Sequence, residues 1–161
     1  MKLYHGSNME IRIPRILPSQ RFLDFGPGFY LTSDFEQAWK WAVRTTSNRE
    51  TGIASVSVFE FDAERLEPYR ILRFDRPDHR WLRYIAANRT GKSPAKQYDI
   101  VIGPVANDQA IRTVNNYLKG YFSEDIAIQL LLPQKLKDQY TFKTDKSLAL
   151  LNFLEVRNDQ A

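Results

Sequence analysis

Hydrophobic residues recur along the chain with two different periods, which predicts a mixture of helices and strands. One helix is indicated by four apolar residues at positions i, i+3, i+4 and i+7: Phe35, Ala38, Trp39 and Ala42. Ser33 stands three residues before Glu36, the spacing of a capping box, so we expect this helix to begin there. Trp41 lies on the flank of the helix rather than on its apolar face, and it therefore needs its own burial partner or a ligand.

The remaining elements are predicted from the same two periods. Strands are expected where β-branched and aromatic residues dominate or alternate with polar ones: residues 1–4, 53–61, 98–105 and 139–144. Further helices are expected over residues 80–88, 124–132 and 146–156. Strands and helices are mixed without a regular βαβ alternation, which indicates an α+β fold. The chain has no internal repeat or linker, so residues 1–161 are predicted to form a single domain.

Composition removes several kinds of chemistry. The 161 residues include no Cys and two His, His5 and His79. Thiol nucleophiles, disulfides and thiolate metal sites are therefore excluded, and two His cannot form a three-His zinc site. We expect a function that needs no metal ion.

Charge and hydropathy bear on partners and location. No segment is apolar enough for a signal peptide or a membrane span, so we expect a cytoplasmic protein with no membrane partner. The net charge is +4, and residues 70–96 carry eight basic against two acidic residues, an excess of six. That segment is either a solvated helix face or a patch that meets a phosphate-bearing ligand, an acidic protein or nucleic-acid phosphates.

Three short motifs carry the candidate chemistry. The first is His5-Gly6-Ser7 after a predicted strand, and the second is Gly26-Pro27-Gly28 followed by Phe-Tyr-Leu-Thr. The third is Gln139-Tyr140 at the start of a predicted strand. Each motif is weak alone, because the glycine pair is not a dinucleotide-binding fingerprint and is equally typical of a tight turn.

Taken in order, the three motifs resemble those of the ADP-ribosyltransferase superfamily. The likeness is to the diphtheria-toxin and poly(ADP-ribose) polymerase branch, whose signature is His-Tyr-Glu. The chain also resembles a bacterial domain family of unassigned role with the patterns YHGS, DFGxGFYLT and GPVAND. The resemblance implies a split β-sheet clamp with flanking helices that binds NAD as co-substrate and breaks the bond between nicotinamide and ribose.

The resemblance also implies roles for individual residues. His5 would hydrogen-bond the adenosine ribose, the backbone of Gly6 would hold the nicotinamide carboxamide, and the Ser7 hydroxyl would assist. Gly28 is expected among the NAD-binding residues through its place in the glycine turn. Tyr30 and Trp41 would lie on either side of the nicotinamide ring, each contributing ~0.5–2 kcal/mol through dispersion and cation–π attraction.

Gln139 departs from the family pattern, because it stands where the signature has Glu. An amide accepts and donates hydrogen bonds but carries no charge and cannot act as a base. Transfer of a single ADP-ribose, slow NAD hydrolysis and no catalysis all stay open, as does a solvent-facing role for Gln139. Asp138 and Glu124 are the nearest carboxylates in sequence and are candidate substitutes.

The leading hypothesis is a mono-ADP-ribosyltransferase that modifies a macromolecular acceptor, with Gln139, Tyr30 and His5 as catalytic residues. Small size, the lack of a targeting signal and the family likeness suggest the toxin of a toxin–antitoxin pair, with an antitoxin protein as partner. The alternatives are a catalytically inactive NAD or ADP-ribose-binding module, suggested by Gln139, and a basic nucleic-acid-binding domain.

Overall fold

Seven strands and five helices occur in residues 1–18, 23–92 and 97–159, the parts of the chain that the computed structural model describes. In chain order they are β1 (Lys2–Ser7), β2 (Phe29–Leu31), α1 (Phe35–Arg49), β3 (Ser55–Phe61), β4 (Ile71–Arg73), α2 (His79–Arg89), β5 (Ile100–Pro104), α3 (Asp108–Leu118), α4 (Glu124–Leu131), β6 (Asp138–Phe142), α5 (Asp145–Leu148) and β7 (Leu151–Arg157). The predicted α+β class is confirmed. Within those ranges no helix has both the length and the apolar character needed to cross a membrane.

The strands form two sheets that meet at a single point. The first sheet has the order β1-β3-β7 and is antiparallel, and the second has the order β2-β6-β5-β4. Tyr4 of β1 and Thr32, just after β2, form an isolated bridge, with each backbone N–H donating to the other residue's carbonyl at 2.8 and 3.0 Å. We call the line along which β1 and β2 separate beyond this bridge the seam.

Alternation along the strands explains where the core lies. Leu3 of β1, Phe59 of β3 and Phe29 of β2 point to the same side and are buried together, so the main core fills the space between the two sheets. The outer face of the first sheet is covered by α1, through Ala38 and Ala42. Helices α2, α3 and α4 form a second core against the outer face of the other sheet.

The helix predicted over residues 146–156 is wrong. The structure has a four-residue helix, α5, followed by β7, which pairs antiparallel with β3. Leu148 and Leu151 are buried in this arrangement, whereas Leu154, at helical spacing from Leu151, is 46% exposed. Pairing with β3 decides the outcome, because a third strand completes the sheet and local helical spacing does not compete with that.

Three further differences concern helix starts and topology. Asp34, not Ser33, caps α1, and its carboxylate accepts from the Gln37 N–H at 2.8 Å. Helix α3 was not predicted, although Asn107 caps it by accepting from the Ala110 N–H. Strand β4 was also missed; it pairs in parallel with β5 after the α2 crossover, so the fold contains one βαβ unit. Ser123 caps α4, and its hydroxyl accepts from the Ile126 N–H at 3.3 Å.

Candidate functional site

The backbone of Gly6 faces the seam. Tyr4 directs both its backbone groups to Thr32, and Gly6, two residues later on β1, directs its N–H and C=O to the same side, away from β3. At this position β1 and β2 have already separated, because their bridge lies at Tyr4. Gly6 therefore offers one donor and one acceptor to a group lying in the seam.

Packing also requires glycine at position 6. A Cβ atom placed there would lie 2.0 Å from the carbonyl oxygen of Ala38 and 3.0 Å from the backbone nitrogen of Ala42. The contact brings the backbone of α1 directly onto β1. The resemblance implies that the Gly6 backbone holds a ligand, and the contact with α1 is a separate reason for glycine at this position.

His5 crosses the seam. Its Nδ1 atom lies 2.7 Å from the carbonyl oxygen of Tyr30 on β2, and its ring stacks on Phe29 at 4.2 Å between centroids. A carbonyl oxygen only accepts, so Nδ1 carries the proton and Nε2 keeps its lone pair. Burial lowers the pKa of His5. The ring is thus neutral, and the Nε2 lone pair can accept a hydrogen bond.

Tyr30 points away from the main core and is held by the glycine turn before it. Its hydroxyl donates to the Gly26 carbonyl and accepts from the Phe25 N–H at 3.2 Å. Burial raises the pKa of the phenol, so it stays protonated. Gly26, with φ of +77°, adopts the left-handed conformation that favours glycine.

Gln139 and Thr141 lie on the same face of β6 as each other, opposite the face that carries Tyr140 and Phe142. Gln139 is 8% exposed, and within the described residues its Nε2 atom has no hydrogen-bond partner. Thr141 Oγ1 is also buried, near the phenol oxygen of Tyr30 but without a hydrogen bond of standard geometry. An unpaired buried N–H costs about 1–3 kcal/mol, so a ligand that accepts from Gln139 would remove a real penalty.

The two carboxylates considered as substitutes for the missing Glu are engaged elsewhere. Asp138 accepts from the Ser33 N–H at 2.8 Å, and from the hydroxyls of Ser33 and Thr32. Glu124 lies at the start of α4 and pairs with Arg83 at 2.7 Å and with His79 at 3.1 Å. Both are tied to structural partners, and neither is free to serve as a base in its present position.

Trp41 lies on the flank of α1 that faces the second sheet. One turn before it, the Gln37 amide donates to the Asp138 carbonyl at 3.3 Å. One turn after it, Arg44 pairs with Asp108 of α3 at 3.6 Å. Trp41 is 53% exposed between these two contacts. We expected the Trp41 side chain to need a ligand or a burial partner, and about half of it is exposed to solvent in the described structure.

The other predicted binding residues differ in their contacts. Ser7 lies at the end of β1, with its hydroxyl 3.5 Å from Asn8 Oδ1. Gly28 packs tightly against β6, since a Cβ there would lie 2.6 Å from Thr141 Cγ2 and 2.8 Å from the Phe142 carbonyl. Gly28 therefore allows the glycine turn to pack closely against β6, and this packing alone requires glycine there.

Three basic residues in the described part of the segment at residues 70–96 form ion pairs within the fold. Arg83 pairs with Glu124, Arg89 pairs with Asp24 at 2.6 Å, and the Arg70 guanidinium lies 3.7 Å from Asp99. Lys96, also counted in that segment, lies outside the described residues.

Two surface hollows are lined by residues other than Gly6, Tyr30 and Gln139. One, of about 370 Å³, lies between α2 and α3, and the other, of about 270 Å³, begins at Asn8, one residue beyond Ser7. Two surface ion pairs join α1 to the other half of the fold: Arg44 pairs with Asp108 of α3 at 3.6 Å, and Asp34, the cap of α1, pairs with Lys137 just before β6 at 2.7 Å.

Comparison with known proteins identifies the family. The chain belongs to the family described as "Protein of unknown function (DUF3990)", whose model matches residues 1–153. No curated protein and no solved structure matches the chain. The matched region contains every residue of the candidate site.

Proposed function

We propose that the protein is a mono-ADP-ribosyltransferase that uses NAD as co-substrate and modifies a macromolecular acceptor. The observation that carries the proposal is the convergence of Gly6, Tyr30 and Gln139. They come from three distant strands, and all three face away from the core between the sheets. Leu31 pairs with Tyr140, so Gln139 lies beside the bridge from which β1 and β2 separate.

The residues present fit NAD by their hydrogen-bonding capacity. Gly6 offers a backbone N–H and C=O, matching a carboxamide group that both accepts and donates. His5 offers a neutral acceptor for a ribose hydroxyl, and Gln139 offers an unpaired donor. NAD, when bound, supplies a labile bond between nicotinamide and ribose. The chain's own contribution would be to hold the nicotinamide and adenosine ends in a fixed orientation.

Gln139 limits the chemistry of this site. Because an amide cannot remove a proton, repeated transfer onto sugar hydroxyls is disfavoured, and a single transfer to a nucleophile that needs no base is favoured. The same residue supports a second candidate function, an NAD-binding module without turnover. The engagement of Asp138 with Ser33 favours that alternative, since the nearest carboxylate is not free.

The biological setting is part of the proposal. A transferase of this kind in the cytoplasm would serve as the toxin of a toxin–antitoxin pair, with an antitoxin protein as partner. The macromolecular acceptor would approach the flank of α1 on which Trp41 is half exposed.

Incubation of the purified chain with NAD labelled in its ADP-ribose part, alone and with cell lysate, tests the proposal. We expect release of nicotinamide and transfer of label to a lysate macromolecule, both lost in Tyr30→Ala and kept in His79→Ala. Binding of NAD without release would favour the inactive module. Binding of RNA or DNA that weakens steeply with salt and survives Tyr30→Ala would instead support a nucleic-acid-binding domain.

A further inference from the structure

Lys143 makes an unusual set of contacts for a lysine at the end of a strand. It follows β6 directly, and its ammonium donates to the carbonyl oxygens of Phe25 and Pro27, the latter at 3.0 Å. A Cβ placed on Gly26 would lie 2.9 Å from Lys143 Nζ, so the ammonium lies directly against the turn. The Lys143 side chain thus hydrogen-bonds the glycine turn from the end of β6.

The charge on Lys143 is costly where it lies. Burial lowers the pKa of Lys143 to about 8, and no acidic residue offsets this in the described part of the chain. The nearest carboxylate on the same turn, that of Asp24, pairs with Arg89 instead. The partners of the ammonium are two backbone carbonyls. Half-burying a charge without a carboxylate partner has a desolvation cost, so this contact is an expensive way to stabilise the fold.

The turn that Lys143 hydrogen-bonds is also the turn that hydrogen-bonds the Tyr30 hydroxyl. The Tyr30 hydroxyl donates to Gly26 and accepts from Phe25, while Lys143 binds the carbonyls of Phe25 and Pro27. The two side chains therefore bind different backbone groups of one short segment. Spacing of two along β6 also places Lys143 on the face that carries Gln139 and Thr141.

We propose that Lys143 is a positioning residue, whose ammonium holds the Phe25–Pro27 turn in the conformation that fixes the Tyr30 ring at the seam. Its importance for NAD binding rests on the function proposed above. The contact between Lys143 and the Phe25–Pro27 turn, however, is a property of the free protein. Fixing an aromatic ring in its binding orientation before the ligand arrives removes an ordering cost from binding.

Amide hydrogen exchange without NAD tests directly whether Lys143 holds the turn in place. The N–H groups of Phe25 and Gly26 donate to the Tyr30 hydroxyl and to the Leu23 carbonyl, so they report on the turn. We expect both amides to exchange faster in Lys143→Met, with Lys143→Arg restoring slow exchange because a guanidinium also donates to two carbonyls. Lys119→Met, which removes an exposed lysine, is the matched control. Unchanged exchange in folded Lys143→Met overturns the proposal.

NAD affinity measured on the same variants provides the second readout. If the native chain binds NAD, we expect Lys143→Met to weaken binding about tenfold or more at an unchanged thermal midpoint, and Lys143→Arg to recover it. A lower thermal midpoint with unchanged affinity would mean a structural role alone and would overturn the positioning role. If the native chain does not bind NAD, the proposed function fails, and the exchange result alone decides whether Lys143 holds the turn.

Discussion

The Nδ1 atom of His5 lies 2.7 Å from the carbonyl oxygen of Tyr30, so one side chain joins the two sheets across the line where they separate. The carbonyl fixes the tautomer, and Nε2 is left as an acceptor. A residue assigned to ribose binding by resemblance thus has a second role, because it also sets the distance between β1 and β2 beside the Tyr4–Thr32 bridge.

His5→Phe tests the hydrogen-bonding role of the ring. Phenylalanine keeps an aromatic ring against Phe29 but removes both nitrogens, so NAD affinity should fall about tenfold, equivalent to ~1.4 kcal/mol. Calorimetric titration measures the change. His79→Phe is the matched control, since His79 is exposed at the start of α2 and pairs with Glu124. Equal affinity in native protein and His5→Phe would exclude His5 from the binding site.

The lowered pKa of His5 predicts a pH dependence of stability. The folded pKa lies below the unfolded value of 6.5, so as pH falls below about 6.5 the unfolded chain takes up the proton first. Below about pH 6.5, the free energy of unfolding of the native protein should therefore fall relative to that of His5→Phe. Above about pH 6.5, the difference between the two proteins should stay constant. Urea unfolding at a series of pH values measures the difference. A difference that does not vary with pH would mean that His5 titrates alike in both states.

Gly6→Ala tests the contact between α1 and β1. The added Cβ would lie 2.0 Å from the Ala38 carbonyl oxygen, and a backbone atom cannot move aside as a flexible side chain would. We expect a loss of at least about 1–3 kcal/mol in the free energy of unfolding. Ser7→Ala, at the next position of β1, adds no volume and should unfold close to the native midpoint. A Gly6→Ala protein as stable as the native chain would show that the helix lies further from the strand.

Gln139→Glu tests whether the missing charge limits turnover. A carboxylate here would stabilise positive charge at the ribose and accept a proton, so nicotinamide release should rise by about 10²-fold. Gln139→Leu, of similar size, removes the unpaired Nε2 and should bind NAD more weakly without losing stability. Rates for Gln139→Glu no higher than native would place the limit elsewhere in the site.

Sequence patterns predicted the fold class and most elements because helical and strand periods are local properties. They also predicted that residues 5–7, Tyr30 and Gln139 belong together, through resemblance rather than spacing. The end of the chain was predicted wrongly, because β7 forms through pairing with the distant strand β3. Local periodicity contains no information about such a partner.

Lys143 and Gln37 show what the sequence analysis missed in the site itself. The period of two places Lys143 on the same face as Gln139, and this signal was present in the predicted strand over residues 139–144. Gln37 could not be found in this way, since its contact with the Asp138 carbonyl joins residues a hundred positions apart. Long-range contacts of polar side chains depend on the tertiary fold and have no local pattern.

Calorimetric titration of the native chain with NAD, up to about millimolar concentration, tests the central claim most directly. We predict saturable binding of one NAD per chain, lost in Tyr30→Ala and kept in His79→Phe. Absence of any saturable binding, or binding of equal strength in folded Tyr30→Ala, would contradict a nucleotide site at the seam between β1 and β2.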